Sequence, residues 1–234
     1  MKNLLYVLSV VLFLTACTHK ATEPPSTRVP LPEFPPHFYQ DAPNGDVFTL
    51  DAGQSYADIL VRRGGSLARM GHDHVVTAVN LQGFVYWPTG QLAGSRADLR
   101  SDLNALEVDE ASRRQRYHLD TTPSEEDIRK TSENMHLKVL NSKLWPETQL
   151  SIKVTGGTFE AVEAQLGIHL HGQFREMPIV FSLSEDGGEK LTATGEFTLR
   201  QSDFGIQPYQ VLGGALKVED EVNVHFHIEA LPGR

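Results

Sequence analysis

The side chains best suited to acid-base or metal chemistry are histidines, and three short motifs hold six of the ten in the chain. The first motif, Gly71-His72-Asp73-His74, places two imidazoles on either side of a carboxylate. Histidine titrates near neutral pH and is a common metal ligand. The motif could therefore bind a metal, orient the headgroup of a ligand, or hydrogen-bond across a tight loop. Because a tetrahedral zinc site needs three or four protein ligands and no further candidate lies nearby in sequence, we predict no metal site here.

The other two motifs are His-x-His pairs, His169/His171 and His225/His227. The two-residue period of a strand places each pair on one face, opposite the apolar residues. If two strands separate the pairs, the distance between them is about 14 Å at ~4.8 Å per strand, too far for one metal ion. We therefore expect solvated histidine faces, with a His-rich metal-binding protein kept as an alternative.

Nucleophilic catalysis has no support in the sequence. There is no Gly-x-Ser-x-Gly motif, and Cys17 is the only cysteine. Asp203-Phe204-Gly205 matches a short kinase motif, but no glycine-rich loop or catalytic-loop signature accompanies it. It is better explained as a turn in which Phe204 fills the core. We predict that the protein is not an enzyme, with no catalytic residue and no cofactor.

The net charge limits the partners. The chain has 234 residues, 21 Lys and Arg, 30 Asp and Glu, and a formal charge of −9. Nucleic-acid binding depends on clustered basic residues, so no nucleic-acid partner is expected. An anionic membrane surface would also repel this chain, and membrane attachment needs another device.

The N-terminus supplies such a device. Lys2 precedes an apolar run from Leu4 to Leu14, which is too short to span ~30 Å of hydrocarbon but suits a signal peptide. The run ends in Leu14-Thr15-Ala16-Cys17, which resembles a bacterial lipobox. The resemblance implies a signal peptide of residues 1–16 and lipid on Cys17. Thr18 stands where an Asp would favour the inner membrane, so we expect the periplasmic face of the outer membrane.

Residues 17–45 are predicted to be an acylated, extended tether, because seven of the 13 prolines fall between Pro24 and Pro43. From residue 46 to 234 the pattern has the two-residue period of strands. At least eight strands are visible, separated by Gly, Asn, Asp and Pro turns. Thr122 and Pro123 predict the N-cap and first residue of one helix, with Glu125 completing a capping box. Eight strands could close into a barrel or form a sandwich, and periodicity does not separate the two.

A set of motifs in a fixed order resembles the YceI-like family of lipid- or polyisoprenoid-binding proteins over roughly residues 46–231. The resemblance implies an all-β fold, an eight-stranded antiparallel lipocalin-like barrel with one short helix. It also implies a long isoprenoid or another lipid as the partner, because some members hold such a molecule in the barrel. The matching pieces are Gly71-His72-Asp73-His74, Val139-Leu140 before Trp145-Pro146, Leu170-His171-Gly172, Ser202-Asp203-Phe204-Gly205-Ile206 and Val218 to Val224.

A ligand in such a barrel would contact apolar interior residues and a few polar groups at the rim. His72, Asp73 and His74 are the predicted rim contacts. The same alternation would also arise in a barrel packed solid by its own side chains, so a ligand-free structural or partner-binding envelope module stays open. The predicted interior contacts are Ile59, Val61, Phe84, Leu99, Ile152, Leu166, Phe181, Phe197 and Phe226.

Overall fold

The computed structural model describes residues 29–40, 42, 45–88 and 91–233. The predicted signal peptide and the predicted lipidation site at Cys17 lie outside these residues. Within them, no helix is both long enough and apolar enough to cross a lipid bilayer.

The described residues form a mainly β structure in which every strand pairing is antiparallel. The helical elements are α1 (Ala111–Arg116), α2 (Glu125–Asn134) and a π-helical turn (Met135–Val139) that continues α2. The strands are β1 (Gly45–Leu50), β2 (Tyr56–Gly64), β3 (His74–Ala78), β4 (Gln82–Pro88), β5 (Arg96–Asp102), β6 (Glu107–Val108), β7 (Glu147–Gly157), β8 (Val162–Leu170), β9 (Gln173–Asp186), β10 (Lys190–Arg200), β11 (Gln210–Val211) and β12 (Leu216–Pro232).

Eight of these strands close into a barrel. The order is β1-β4-β5-β7-β8-β9-β10-β12, and β12 returns to β1 through pairs that include Phe48 with Pro232 and Leu50 with Ala230. The first part of β12 pairs with β2 instead, and β2 continues into β3 and β6. The predicted eight-stranded antiparallel barrel is confirmed, and the sandwich alternative is wrong.

Alternating side chains explain why these segments form a barrel wall. In β8, Val162, Ala164 and Leu166 are buried, while Glu163 and Gln165 between them are exposed. The two-residue period of a strand sends these two sets to opposite faces. One face of the closed sheet is therefore mostly apolar, and it faces inward.

The strand register places four connections at one end of the barrel, which we call the mouth. Gly64 pairs with Lys217, Asp102 with Glu147, Leu170 with Gln173, and Arg200 with Glu221. The connections that join these strand ends are residues 65–73, 103–146, 171–172 and 201–215.

Helix α2 lies across the mouth, and it begins two residues later than its predicted start. The Ser124 hydroxyl accepts a hydrogen bond from the Asp127 backbone N–H, and the Asp127 carboxylate accepts one from the Ser124 backbone N–H. The predicted cap at Thr122 with Pro123 and Glu125 is therefore wrong in register, since the reciprocal pair forms between Ser124 and Asp127. The predicted helix itself is confirmed.

Helix α1 packs on the outer face of β2 and β3 through arginine contacts. Arg113 Nη1 lies 3.1 Å from Oδ2 of the fully buried Asp58, which also accepts hydrogen bonds from Tyr117 and Thr77. Arg114 is itself buried and binds Asp109. These pairings compensate the two buried carboxylates, and they hold the 103–146 connection against the barrel.

The described part of the predicted tether is not extended away from the barrel. The aromatic rings of residues 34–39, which we call the strap, cover the outside of β4 and β5. Tyr39 donates a 2.7 Å hydrogen bond to Asp98, and the Phe38 ring contacts Tyr86 edge to face with centroids 5.0 Å apart. The strap therefore packs on the barrel wall, within the stretch that the sequence analysis predicts to be an extended tether.

The strap also explains the placement of Phe84. Its ring lies 5.5 Å from Tyr39 and 6.2 Å from Phe34, measured between centroids, on the outer face of β4. Val85 and Trp87 occupy the inward positions of this strand. The predicted interior position of Phe84 is wrong, because the apolar side chain is covered from outside rather than from within.

Candidate ligand-binding cavity

The barrel encloses a cavity of about 620 Å³ whose walls are almost wholly apolar. Drug-sized ligands occupy cavities of roughly 300–1,000 Å³, so this one has room for a small molecule. Eight predicted interior residues line it, and their contact with a ligand stays a prediction. The eight are Ile59, Val61, Leu99, Ile152, Leu166, Phe181, Phe197 and Phe226.

The cavity is long as well as apolar. On β2 alone its lining positions run from Ala57 to Arg63, a separation of about 20 Å at ~3.3 Å per residue. Trp87 and Leu191 line it far from the mouth, and Thr131 and Met135 of α2 line it at the mouth. This shape suits a chain-like molecule better than a compact one.

An aromatic cluster forms part of the wall. Phe226 lies 6.1 Å from Phe181 and 6.3 Å from Phe197, measured between ring centroids. A Cβ atom added at Gly195 would approach Phe181 Cβ to 2.8 Å and Phe226 Cζ to 2.9 Å. The missing side chain at Gly195 therefore lets the rings of Phe181 and Phe226 lie close over β10.

His74 is a polar group of the lining, and a buried carboxylate fixes its ring. Its Nδ1 lies 2.6 Å from Asp109 Oδ2. Asp109 also accepts hydrogen bonds from the Val75 backbone N–H at 3.0 Å and from Arg114 at 2.5 Å. With Nδ1 held by the carboxylate, Nε2 is the ring nitrogen left for a molecule in the cavity.

Burial and hydrogen bonding act on Asp109 in opposite directions. Burial raises the pKa of this carboxyl, whereas hydrogen bonds and charge from His74, with further hydrogen bonds from Val75 and Arg114, lower it. The balance leaves the pKa of Asp109 below its usual value, so the carboxylate is ionised. An ionised Asp109 accepts the Nδ1 proton of His74 and sets the orientation of the imidazole.

His72 also lines the cavity, and it carries an unused polar atom. Its Nδ1 is buried and has no hydrogen-bond partner among the described residues, while its ring lies 6.2 Å from that of His74. The imidazole lies near α2, since it contributes to lowering the pKa of Asp127, a shift caused mainly by the Ser124 hydrogen bond. An unsatisfied buried polar atom costs about 1–3 kcal/mol, so His72 Nδ1 carries a cost in the ligand-free barrel that a rotation of the imidazole toward a polar ligand atom would remove.

Asp73 has a different role from its two neighbours. It does not line the cavity, and its carboxylate accepts hydrogen bonds from Arg62 Nη1 at 3.0 Å and the Arg63 backbone N–H at 2.9 Å. The prediction that Asp73 contacts a ligand at the rim is therefore wrong, because this side chain lies outside the cavity lining. Of the roles left open for the motif, Asp73 takes the one of holding the loop.

Several lining residues were not predicted. Arg63 extends the inward alternation of β2 by one more step, so the pattern itself could have revealed it. Ser101 lies inward on β5, and its buried Oγ has no hydrogen-bond partner among the described residues. Asp109, which holds His74 without lining the cavity itself, was also not predicted, because it is 35 residues from His74 and no local pattern in the sequence connects them.

The His-x-His pairs lie outside the cavity, as expected from their strand face. His169 stacks on Phe174 with ring centroids 4.4 Å apart, and His225 Nδ1 lies 3.1 Å from Glu196. Their strands β8 and β12 are separated by β9 and β10. Burial lowers the pKa of both His169 and His171. Across the described part of the chain, no three His, Cys, Asp or Glu side chains group as metal ligands would.

Solved structures with the same fold come from several bacteria. BcnA of Burkholderia cenocepacia has a TM-score of 0.58 at 12% identity, covering 77% of this chain and 98% of that one. A polyisoprenoid-binding domain from Saccharophagus degradans, implicated in plant cell wall breakdown, has a TM-score of 0.55 at 13% identity, covering 80% and 98%. The YceI protein of Campylobacter jejuni has a TM-score of 0.50 at 9% identity, covering 68% and 84%. At such low identities these likenesses show the fold alone.

Comparison with sequences gives a family but no individual relative. No curated protein matches the chain. The family model described as the YceI-like domain matches residues 49–230, which include the whole cavity wall and all three histidine motifs. The chain belongs to the YceI-like domain family.

Proposed function

We propose that this protein binds a long apolar molecule, an isoprenoid or another lipid chain, inside the barrel. The observation that carries the proposal is the long apolar cavity, whose wall includes a few polar side chains such as His72, His74 and Ser101. An apolar chain would fill the barrel, while one polar group of the ligand would satisfy the histidine end. Binding sites of this kind combine apolar walls with a few polar contacts that set orientation.

The size of the cavity argues for an occupant. About 620 Å³ of space inside the barrel is left unfilled by the protein's own side chains. Water is a poor filler for this space, because it needs several polar partners that an apolar wall does not supply. A hydrophobic ligand would gain about 25 cal/mol for each Å² of apolar surface that it buries in the cavity.

One of the solved structures with the same fold supports an isoprenoid as the class of ligand. The domain from Saccharophagus degradans is described as polyisoprenoid-binding, and it shares the barrel on which the cavity here depends. The proposal that this chain binds a long apolar molecule rests on its own cavity. The choice of an isoprenoid as the ligand comes from its likeness to that domain.

We further propose that lipid on Cys17 anchors the protein at the periplasmic face of the outer membrane. The support is the signal-like apolar run, the lipobox and the charge of −9, which disfavours electrostatic attachment to an anionic membrane. We also propose that the protein carries or stores lipid rather than catalysing a reaction, because the cavity wall is almost wholly apolar and the His74 imidazole in it is held by the buried Asp109.

Native mass spectrometry of the mature chain, purified from envelopes in gentle detergent, tests the proposal. The expected result is a mass adduct that organic extraction releases and fragmentation identifies as a lipid. The strap must be kept, because removing residues before 46 would expose Phe84 and Tyr86. A chain that carries no adduct after exposure to an envelope lipid extract would contradict the proposal.

A further inference from the structure

The end of the cavity opposite the mouth is closed by an aromatic side chain. Trp87 is the last residue of β4 that lines the cavity, and it is 8% exposed. Asp46, its cross-strand partner on β1, is exposed, so the indole lies in the last buried layer of the barrel before solvent. Leu191 of β10 and Ala230 of β12 line the cavity and belong to the same buried cluster. We call Trp87, Leu191 and Ala230 the floor.

The β7–β8 connection supports the indole from outside the barrel. The Phe159 ring lies 6.1 Å from the Trp87 ring, measured between centroids. The Phe159 carbonyl accepts a 2.7 Å hydrogen bond from the Leu183 backbone N–H on β9. The Glu160 carbonyl accepts a 3.1 Å hydrogen bond from the Ser182 hydroxyl on the same strand. The indole therefore has behind it a ring whose backbone is tied to the barrel wall.

A small side chain keeps the space next to the indole open. Ala97 on β5 pairs with Val85 on β4, which precedes Trp87 by two residues on the same inward face. Ala97 packs against the buried cluster that contains Trp87. Because an alanine at this position fills so little volume, the cavity continues down to the floor instead of ending above it.

The two histidines of the lining lie at the other end of the cavity. His72 is in the connection that leads into β3, and His74 is the first residue of that strand, at the mouth. A ligand whose polar group contacts these histidines directs its apolar tail toward Trp87. The distance from the histidines to the floor then limits the length of chain that the barrel can bury. Each isoprene unit adds four C–C bonds to that length, about 5 Å when extended.

We propose that the Trp87 indole is the stop that sets the longest chain the barrel accepts. The end of the apolar tail contacts the indole, and Phe159 holds the indole in place. A chain that fits between the histidines and the indole buries all of its apolar surface and gains the full hydrophobic stabilisation. A longer chain leaves apolar units outside the barrel or moves its polar group away from the histidines. This inference rests on the proposed function, because it requires a lipid tail in the cavity.

The experiment measures which chain lengths the barrel selects from a mixture. The mature chain is washed with detergent to remove resident lipid and is then incubated in micelles with equal amounts of prenyl alcohols of three to nine isoprene units. Native mass spectrometry reports the alcohols that are bound. Trp87→Leu deepens the cavity, whereas Ala97→Leu fills the space next to the indole and leaves the floor intact. Phe84→Leu is the matched control, since it replaces an aromatic residue of the same strand on the outer face.

In the wild-type chain, adduct abundance should fall at least about tenfold beyond one length, because each unit left outside the barrel forgoes burial in the cavity. We expect this limit to rise by about one unit in Trp87→Leu and to fall by about one unit in Ala97→Leu, since one unit spans about 5 Å. The limit of Phe84→Leu should equal that of the wild-type chain.

Ala97→Leu decides the outcome if Trp87→Leu does not fold. Equal binding of all lengths by the wild-type chain would overturn the stop and leave lipid binding intact. An unchanged limit in folded Trp87→Leu or in Ala97→Leu, or an equal change in Phe84→Leu, would do the same. A wild-type chain that binds none of the alcohols would overturn the proposed function, and the stop with it.

Discussion

His74 and Asp109 lie 2.6 Å apart, between the imidazole Nδ1 and the carboxylate Oδ2, although 35 residues separate them in sequence. The pair joins the histidine motif at the start of β3 to the connection that leads into α1. Arg114 shares the same carboxylate. The polar end of the cavity is therefore fixed by one buried aspartate that does not itself line the cavity.

Replacing this aspartate should weaken both the fold and the ligand site. Asp109→Asn leaves the buried Arg114 without its counter-charge, which costs about 3–5 kcal/mol in comparable buried pairs. The free energy of unfolding, measured by urea denaturation, should fall by about 3 kcal/mol. Asp46→Asn on the exposed part of β1 is the matched control and should change it by less than about 0.5 kcal/mol. Equal effects of the two substitutions would contradict the role given to Asp109.

The same carboxylate predicts a pH dependence. The pKa of Asp109 is lowered in the folded state, so its contribution to stability is fully present above the unfolded value of about 3.9. That contribution is lost as the pH falls through the lower, folded pKa. The wild-type chain should lose more stability than Asp109→Asn between neutral pH and acid pH, as measured by urea titrations at each pH. Parallel pH profiles of the two proteins would argue against an ionised Asp109.

The unpaired nitrogen of His72 predicts that stability and binding respond in opposite directions. His72→Leu removes a buried polar atom that has no partner among the described residues, so the ligand-free chain should gain about 1 kcal/mol. Lipid retention in native mass spectrometry should fall, because the contact for the polar group of the ligand is gone.

His169→Leu is the control for this experiment. His169 Nδ1 is also buried without a partner in the described structure, but the ring stacks on Phe174 outside the cavity. Its replacement should leave lipid retention unchanged. Loss of lipid in both variants, or in neither, would remove His72 from the ligand site.

The strap should contribute to stability without contacting the ligand. Tyr39→Phe removes the hydroxyl that donates to Asp98, and burial followed by the Asp98 charge raises the pKa of this tyrosine, so the hydroxyl stays protonated. A net loss of about 1.5–3 kcal/mol is expected for a hydrogen bond to a charged group. Thermal unfolding measures the loss, and lipid retention should not change. A variant as stable as wild type would show that the strap is not docked in solution.

Two substitutions distinguish the observed start of α2 from the predicted one. Ser124→Ala should cost about 1 kcal/mol, as loss of an N-cap does, whereas Thr122→Ala should cost nearly nothing. Both residues lie in the same connection, so each serves as the control for the other in urea denaturation. A larger loss of stability in Thr122→Ala than in Ser124→Ala would instead support the N-cap predicted at Thr122.

Alternation along the strands was enough to predict the barrel and most of its interior. It identifies which residues share a face, but it does not identify which face turns inward. In β4, the aromatic Phe84 was predicted to face the barrel interior, but its ring lies on the outer face. It is covered there by Phe34 and Tyr39, which lie far from it in sequence. The periodicity of β4 alone carries no information about the strap.

The polar end of the cavity could be predicted only in part. The Gly71-to-His74 motif identified the correct loop, since motifs at strand ends are local in sequence. The partner of His74 is not local, because β4 and β5 lie between His74 and Asp109 in the sequence. The different roles of Asp73 and its two histidine neighbours follow from which side of the loop each faces, and composition does not determine that.

The central claim is that a lipid occupies the barrel, and filling the cavity tests it most directly. Ala193→Trp places an indole in the cavity from β10, while Thr194→Trp places the same group on the outer face of the same strand. Native mass spectrometry of both mature variants, purified side by side from envelopes, is the measurement. We predict that the Ala193 variant loses the lipid adduct at least about tenfold while its stability changes by no more than about 2 kcal/mol, and that the Thr194 variant keeps the adduct. Equal lipid content in the two variants, or no lipid in the wild-type chain, would contradict the account.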